Sequence, residues 1–332
     1  MKPATRAVTA FTLTLICGLG IGIGLQKYLN LSAKVGNALR KVGLYQHVYP
    51  STAVIKEKIK PPASVPPQLQ GKLKLYVLIG QSNMVGDAEI PEDIRYSANV
   101  YNFGNNYRWA LAKAPIDSAE NQVDAVSADG LAGFGPALTF AQTLVARDSN
   151  QLIGLIPCAK NGSSMADWQR SFSEESLYGS CLKRVRAAST MGTLSGILFF
   201  QGESDAIDPA QFPSLRPAAD AWADKFAIFA YGFRQDVGAP NLPFVYAQLG
   251  QPDDLEGLPN WDLVKQQQEN IQIPNGAMIE TDDLPMEGIH YTADSYKVIG
   301  QRFADAMTDL VTGRAAVGGN PNGESLPAES AQ

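Results

Sequence analysis

Five short apolar runs separated by amphipathic stretches constrain this chain more than any other feature. They are Leu73–Ile79, Leu152–Pro157, Gly196–Phe200, Pro243–Leu249 and Ala277–Ile279. Each is a short apolar run rather than an alternating one, as strands covered on both faces are. Between or after them, Gly135–Ala146, Leu177–Ser189, Ala218–Gln235, Trp261–Ile271 and Thr292–Leu310 carry a helical period. In the last of these, Tyr296, Ile299, Phe303, Met307 and Leu310 fall on one stripe. Such alternation predicts an α/β protein, a three-layer α/β/α sandwich around a central parallel sheet of about five strands. Ligands of these sheets bind beyond the carboxyl ends of the strands. The polar motifs fall there.

Composition excludes several classes. Of 332 residues, 45% are hydrophobic and 18% charged, which describes a folded chain. The net charge of −6 gives no general attraction to nucleic acid, and the folded part shows no basic cluster, so no nucleic-acid partner is expected. With two histidines and no Cys/His spacing, no metal site is evident, and no cofactor is expected. Three cysteines make no disulfide scaffold: Cys17 lies in the N-terminal apolar run, and Cys158 and Cys181 read as buried free thiols, with pairing as the alternative. Oligomeric state is not readable.

The first 71 residues read differently from the rest. Lys2 and Arg6 precede an uncharged stretch from Val8 to Leu25. As a helix, those residues would rise about 27 Å, close to the ~30 Å hydrocarbon core. The run is longer than a signal-peptide core, and Gln26-Lys27-Tyr28 offers no small-residue cleavage site. Residues 1–30 are therefore expected to be a single membrane anchor, with a cleaved signal as the alternative. Basic residues flank the run on both sides, leaving the positive-inside rule near balance. Residues 31–71 read as a basic juxtamembrane helix and a Pro-rich linker, residues 72–312 as the globular domain, and residues 313–332 as a disordered tail.

Four polar segments follow the apolar runs. Gly80-Gln81-Ser82-Asn83-Met84 comes straight after the first. A serine there ordinarily caps a helix, but its hydroxyl and backbone N–H can also face one spot. Lys160-Asn161-Gly162-Ser163 follows the second run, where Gly162 can bring a backbone N–H close to a reacting carbonyl. Gln201-Gly202-Glu203-Ser204-Asp205 follows the third, and the Gln201 amide can aim into the same cleft. The last is Asp282-Asp283-Leu284-Pro285-Met286-Glu287-Gly288-Ile289-His290. His290 is the one histidine outside the N-terminal region, and Glu287 lies three residues before it on the same loop. A base must reach the serine while a carboxylate holds its other ring nitrogen. Asp283 is the second candidate for that carboxylate.

In these strings the chain resembles the SGNH/GDSL hydrolase superfamily, and within it the sialate O-acetylesterase-like group that includes carbohydrate esterase family 6 acetyl xylan esterases. Gly80–Met84 and Gln201–Asp205 carry the resemblance, which spans roughly Leu73 to Leu310. It implies a flavodoxin-like sheet with Ser82 as nucleophile and His290 as base. It also implies an oxyanion hole from the Ser82 N–H, the Gly162 N–H and the Gln201 side chain. The family commonly has Asp where this chain has Glu287, and Glu287 takes the third role in this reading. Gln81, Asn83, Glu203 and Trp168 are the expected sugar contacts.

The expected reaction is removal of O-acetyl groups from a carbohydrate, with an acetylated carbohydrate as partner and a membrane reached through the N-terminal helix. The catalytic domain is expected outside the cytoplasm, because polysaccharide substrates lie there. Two alternatives keep the same fold: a membrane-tethered carbohydrate-binding module with little turnover, and a carbohydrate O-acyltransferase.

Overall fold

Residues 67–313 are described by a computed structural model. The anchor, most of the linker and nearly all of the tail expected from the sequence lie outside these residues. Strand β1 (Leu73–Gly80) leads into a one-turn helix α1 (Ser82–Val85), followed by β2 (Val100–Phe103) and β3 (Trp109–Leu111). Then come α2 (Pro136–Arg147), β4 (Ile153–Pro157), α3 (Leu177–Ala188), β5 (Gly192–Phe200), α4 (Trp222–Asp236), β6 (Phe244–Ala247), α5 (Trp261–Asn270) and β7 (Gly276–Ile279). A short hairpin, β8 (Met286–Glu287) and β9 (His290–Tyr291), precedes the last helix, α6 (Ala293–Thr312).

The sheet has seven strands in the order β3-β2-β4-β1-β5-β6-β7, not about five. All neighbours pair in parallel except β2 and β3, which are antiparallel. The two additional strands extend the β4 edge. They are short, and the polar Asn102 and the merely half-buried Trp109-Ala110-Leu111 give them no continuous apolar run to read.

Side-chain alternation along β1 builds two cores. Leu75, Val77 and Ile79 join Phe226, Phe229 and Phe233 of α4, with α3 and α5 on the same face. Tyr76 and Leu78 join Phe140 of α2 and Tyr296, Ile299 and Phe303 of α6 on the other. Fully burying one such ring contributes roughly 1.5–3 kcal/mol, so these two layers fix the sheet and, with it, the positions of its strand ends. Capping sets where two helices start. The Ser176 Oγ accepts the Gly179 N–H at 3.0 Å, and the Thr292 Oγ1 accepts the Ser295 N–H at 3.2 Å.

Cys158 and Cys181 are bonded, contrary to the expectation of free thiols. Both face the α3 core, one just past β4 and one on α3, with Cα atoms 5.4 Å apart, a spacing a disulfide accommodates. The bridge spans 23 residues of sequence, for which the chain-entropy account gives about 3 kcal/mol of stabilisation. Among the described residues, no helix is long and apolar enough to cross a membrane.

Candidate active site

The central strand β1 delivers Ser82 to the carboxyl edge of the sheet. Gly80 there has φ +142°, and a Cβ on it would stand 2.0 Å from the Phe200 carbonyl oxygen. Only glycine lets β1 and β5 run this close at the turn. The Gln81 N–H donates to the Phe200 carbonyl at 2.9 Å, and α1 begins at the next residue. The N–H groups of Ser82 and Asn83 therefore open a helix and have no partner within it.

Ser82 and His290 meet at this turn. The Ser82 Oγ is 2.7 Å from His290 Nε2, and both residues are buried. The other ring nitrogen, Nδ1, lies 3.2 Å from an Asp87 carboxylate oxygen. A hydroxyl on one imidazole nitrogen and a carboxylate on the other can produce a nucleophilic oxygen and stabilise the imidazolium that results.

The carboxylate on Nδ1 is thus Asp87, not Glu287 or Asp283. Glu287 stands opposite His290 across the β8–β9 hairpin with its side chain exposed. Asp283 is also exposed and accepts two hydrogen bonds from Arg302, at 2.7 and 2.6 Å, which hold its carboxyl below the usual range. Asp87 reaches His290 because Gly86, with φ +96°, ends α1 and turns the chain back. The available signal was adjacency: Gly86-Asp87 continues the serine motif directly.

The segment after β4 is drawn against the same turn. The Lys160 N–H and the Ser163 hydroxyl both donate to the Gly80 carbonyl, at 3.0 and 3.2 Å. Gly162, between them, takes the left-handed φ of +69°. Asp129 grips this segment from outside: its carboxylate accepts Lys160 Nζ at 2.6 Å and the Asn161 N–H at 2.7 Å. Trp168 lies inside the core, fully buried, donating to the Ser163 Oγ at 3.0 Å. It is closed to a sugar.

On the β5 side the expected donor is occupied. The Gln201 side-chain oxygen accepts Trp222 Nε1 at 2.9 Å. Its amide nitrogen donates to Asp205 at 2.5 Å and to the Ser163 carbonyl at 3.1 Å, and the residue is fully buried. Gln201 is therefore a brace between β5, α4 and the Gly162 segment rather than a free oxyanion donor. Gln81 behaves likewise, with its side-chain oxygen accepting the Ser204 N–H at 3.2 Å and the Gln201 amide at 3.3 Å.

Asn83 and Glu203, the remaining expected sugar contacts, are buried and bonded to each other. Burial pushes the Glu203 carboxyl up to about 7, against the lowering effect of its hydrogen bonds. Burial also raises Asp205, although the N–H groups of Met165 and Ala218 and the Gln201 amide all donate to it. All four side chains expected on the substrate are thus interior ones. Beside Asp87, a cleft of about 250 Å³ runs between residues 86–90 and 131–133, with Ile90 and Leu131 exposed at its lip. Among the described residues, no group of three or more His, Cys, Asp and Glu side chains is arranged to hold a metal ion.

Residues 72–309 match the model of a family described as "carbohydrate esterase, sialic acid-specific acetylesterase". A probable carbohydrate esterase of Arabidopsis thaliana is 24% identical over 268 residues, covering 74% of this chain and 95% of the relative. Among solved structures, one of an Arabidopsis thaliana protein superposes with a TM-score of 0.60 at 23% identity, covering 71% of this chain and 98% of that one. A carbohydrate acetylesterase of Xanthomonas citri superposes with a TM-score of 0.53 at 20% identity, covering 72% of this chain and 56% of that one. At these identities the superpositions establish the fold.

Proposed function

The chain belongs to the carbohydrate esterase family of sialic acid-specific acetylesterases, and from that premise we propose that it removes O-acetyl groups from a carbohydrate through an acetyl-serine intermediate. The observation that carries this reading is the chain of contacts from the Ser82 Oγ through His290 to Asp87, at 2.7 and 3.2 Å.

In this reading the Ser82 hydroxyl gives its proton to His290 Nε2 as its oxygen bonds to the acetyl carbonyl carbon. Asp87 accepts the Nδ1–H and stabilises the charged ring. The Ser82 N–H, at the start of α1, and the Gly162 N–H take the negative charge on the former carbonyl oxygen. The imidazolium then protonates the departing sugar oxygen as its bond to carbon breaks. Water repeats the sequence on the acetyl-serine, with His290 again as base, and releases acetate. Loss of one oxyanion donor costs about 2.7–4 kcal/mol of barrier, so the placement of the Gly162 turn matters as well as that of the triad.

The same reading places the domain outside the cytoplasm, tethered through residues 8–25. The Cys158–Cys181 bond supports that compartment, since disulfides persist where the surroundings are oxidising.

The test is acetate release from p-nitrophenyl acetate and from acetylated xylan by the wild-type chain and by Ser82→Ala. Wild type should turn over both, and the variant should lose at least about a hundredfold. A wild type that releases no acetate from either ester removes the reading and leaves a carbohydrate-binding module.

A further inference from the structure

Asn83 and Glu203 were expected at the sugar, yet neither faces it. Asn83 follows Ser82 in α1 and is fully buried. Its amide nitrogen donates to the Ile289 carbonyl at 2.9 Å and, in a short contact, to Glu203 Oε1. Its oxygen accepts the Tyr296 hydroxyl at 2.6 Å. Both N–H groups and the carbonyl of this amide are therefore spent. Glu203 comes from the turn after β5, Ile289 directly precedes His290, and Tyr296 stands in the first turn of α6. Four segments thus converge on one side chain.

We propose that Asn83 and Glu203 are positioning residues that set the separation of the Ser82 hydroxyl from the His290 ring. The inference rests on the reading of Ser82 and His290 as nucleophile and base. Those residues lie 208 apart in sequence. The Asn83–Ile289 hydrogen bond ties together the residue next to each of them. An amide side chain can rotate about its last torsion unless its ends are held. The Tyr296 hydroxyl holds the oxygen of Asn83 and Glu203 Oε1 holds its nitrogen, so that the second N–H aims at the Ile289 carbonyl. Glu203 thus acts on His290 through Asn83 and touches no reacting atom.

The second Glu203 oxygen, Oε2, is buried, and the side-chain hydrogen bond to this carboxyl comes from Asn83 on Oε1. Burial also favours the uncharged carboxyl, with Asp205 on its own turn and Tyr291 and Tyr296 from the hairpin and α6 facing it. What the site takes from Glu203 is one acceptor oxygen on Asn83, not a charge. Glutamine can supply the same oxygen; alanine cannot.

The experiment compares full-chain Ser82→Ala, Glu203→Ala, Glu203→Gln and Tyr296→Phe with wild type, reading kcat and KM on p-nitrophenyl acetate. Folding is followed by near-UV circular dichroism. The ring signals of His290 are followed by NMR on ¹⁵N-histidine-labelled protein. Glu203→Ala should lose about thirtyfold in kcat, within the range a misplaced reacting group costs, with KM unchanged and the His290 signals moved. Glu203→Gln should restore most of the kcat. Tyr296→Phe should lower kcat by a smaller factor, again with KM unchanged.

Ser82→Ala separates the two claims. If it keeps wild-type turnover, the reading of the nucleophile falls. If Ser82→Ala is inactive but a folded Glu203→Ala keeps its kcat, only the positioning role falls. A Glu203→Ala effect confined to KM overturns it too, and makes Glu203 a sugar contact. So does a Glu203→Gln as damaged as Glu203→Ala, which would mean that the acid itself is used. Should Glu203→Ala not fold, Tyr296→Phe decides, and an unchanged kcat there overturns the proposal.

Discussion

The two flanks of Ser82 are held by different chemistry. On the β4 side the braces are ionic. Arg184, with its side chain buried, reaches the Pro157 carbonyl and Asn105, and donates to Asp124 at 2.6 Å and Ser127 at 3.2 Å. Lys160 pairs with Asp129. On the β5 side the braces are neutral side chains gathered at the buried Asp205 carboxylate: Gln81, Gln201 and Trp222 connect the strand end to α4. Gln268 of α5 donates to the Gln201 carbonyl at 3.0 Å and accepts the Leu249 N–H at 2.8 Å. The difference follows from what each flank must hold. The β5 turns sit on regular strand and helix ends, where an amide can substitute for a backbone partner. The β4 flank must fasten residues 104–135, a long connection carrying little apolar pattern, and charged pairs grip it without a packed face. A buried charge that loses its partner costs more than a neutral group does. The ionic flank is therefore the brittle one.

The sharpest way to break this contrast is to compare Arg184→Met with Gln201→Leu. Arg184→Met leaves Asp124 unpaired and should cost about 3–5 kcal/mol of folding stability, read from urea unfolding. Gln201→Leu strands the Trp222 N–H and one bond to Asp205, and should cost about 1–3 kcal/mol. Equal losses would mean that charge is not what distinguishes the flanks.

A pH series sharpens it further. Burial raises the Glu203 carboxyl to about 7, so the folded chain holds that proton more tightly than the unfolded one. The resulting stability is present below the unfolded value of 4.5 and is lost as pH rises through 7. Glu203→Gln should flatten this slope. Asp117, on the ionic flank and raised by burial to about 6, adds a decline of the same sign and should retain it in that variant. If Glu203→Gln leaves the profile of unfolding free energy unchanged between pH 5 and 7, the carboxyl is not held neutral.

The smallest effect is expected from Asp129→Asn. It removes the ion pair with Lys160 but leaves an oxygen for the Asn161 N–H. The Gly162 turn should shift slightly and kcat should fall on the order of tenfold, short of the hundredfold that a 1 Å misplacement can cost. A change in KM alone would place Asp129 on the substrate side instead.

The sequence made the sheet legible where its strands are largely apolar, Ser82 legible through the Gly80–Met84 string after the first of them, and His290 legible because it is the one histidine outside the N-terminal region. It hid what depends on the direction of a side chain just past a strand. Gln81, Asn83, Gln201 and Glu203 look like ligands of a cleft as a string, yet each turns inward and binds its neighbours. Asp87 was hidden for the opposite reason: it directly continues the serine motif, but only the turn at Gly86 aims it at His290. β2 and β3 lacked the apolar continuity by which the other strands are read. The bond between Cys158 and Cys181 depended on α3 packing against the β4 end, which residue counting does not contain.

The measurement that bears most directly on the site is the steady-state rate of acetate release by Asp87→Asn beside Glu287→Gln. An asparagine keeps the shape of Asp87 but cannot stabilise the imidazolium. Asp87→Asn should lose about a hundredfold to ten-thousandfold in kcat, the upper value being that of a triad carboxylate turned into an amide, while Glu287→Gln stays near wild type. An inactive Glu287→Gln beside a near-normal Asp87→Asn would contradict the Ser82–His290–Asp87 arrangement and return the third role to the residue across the hairpin.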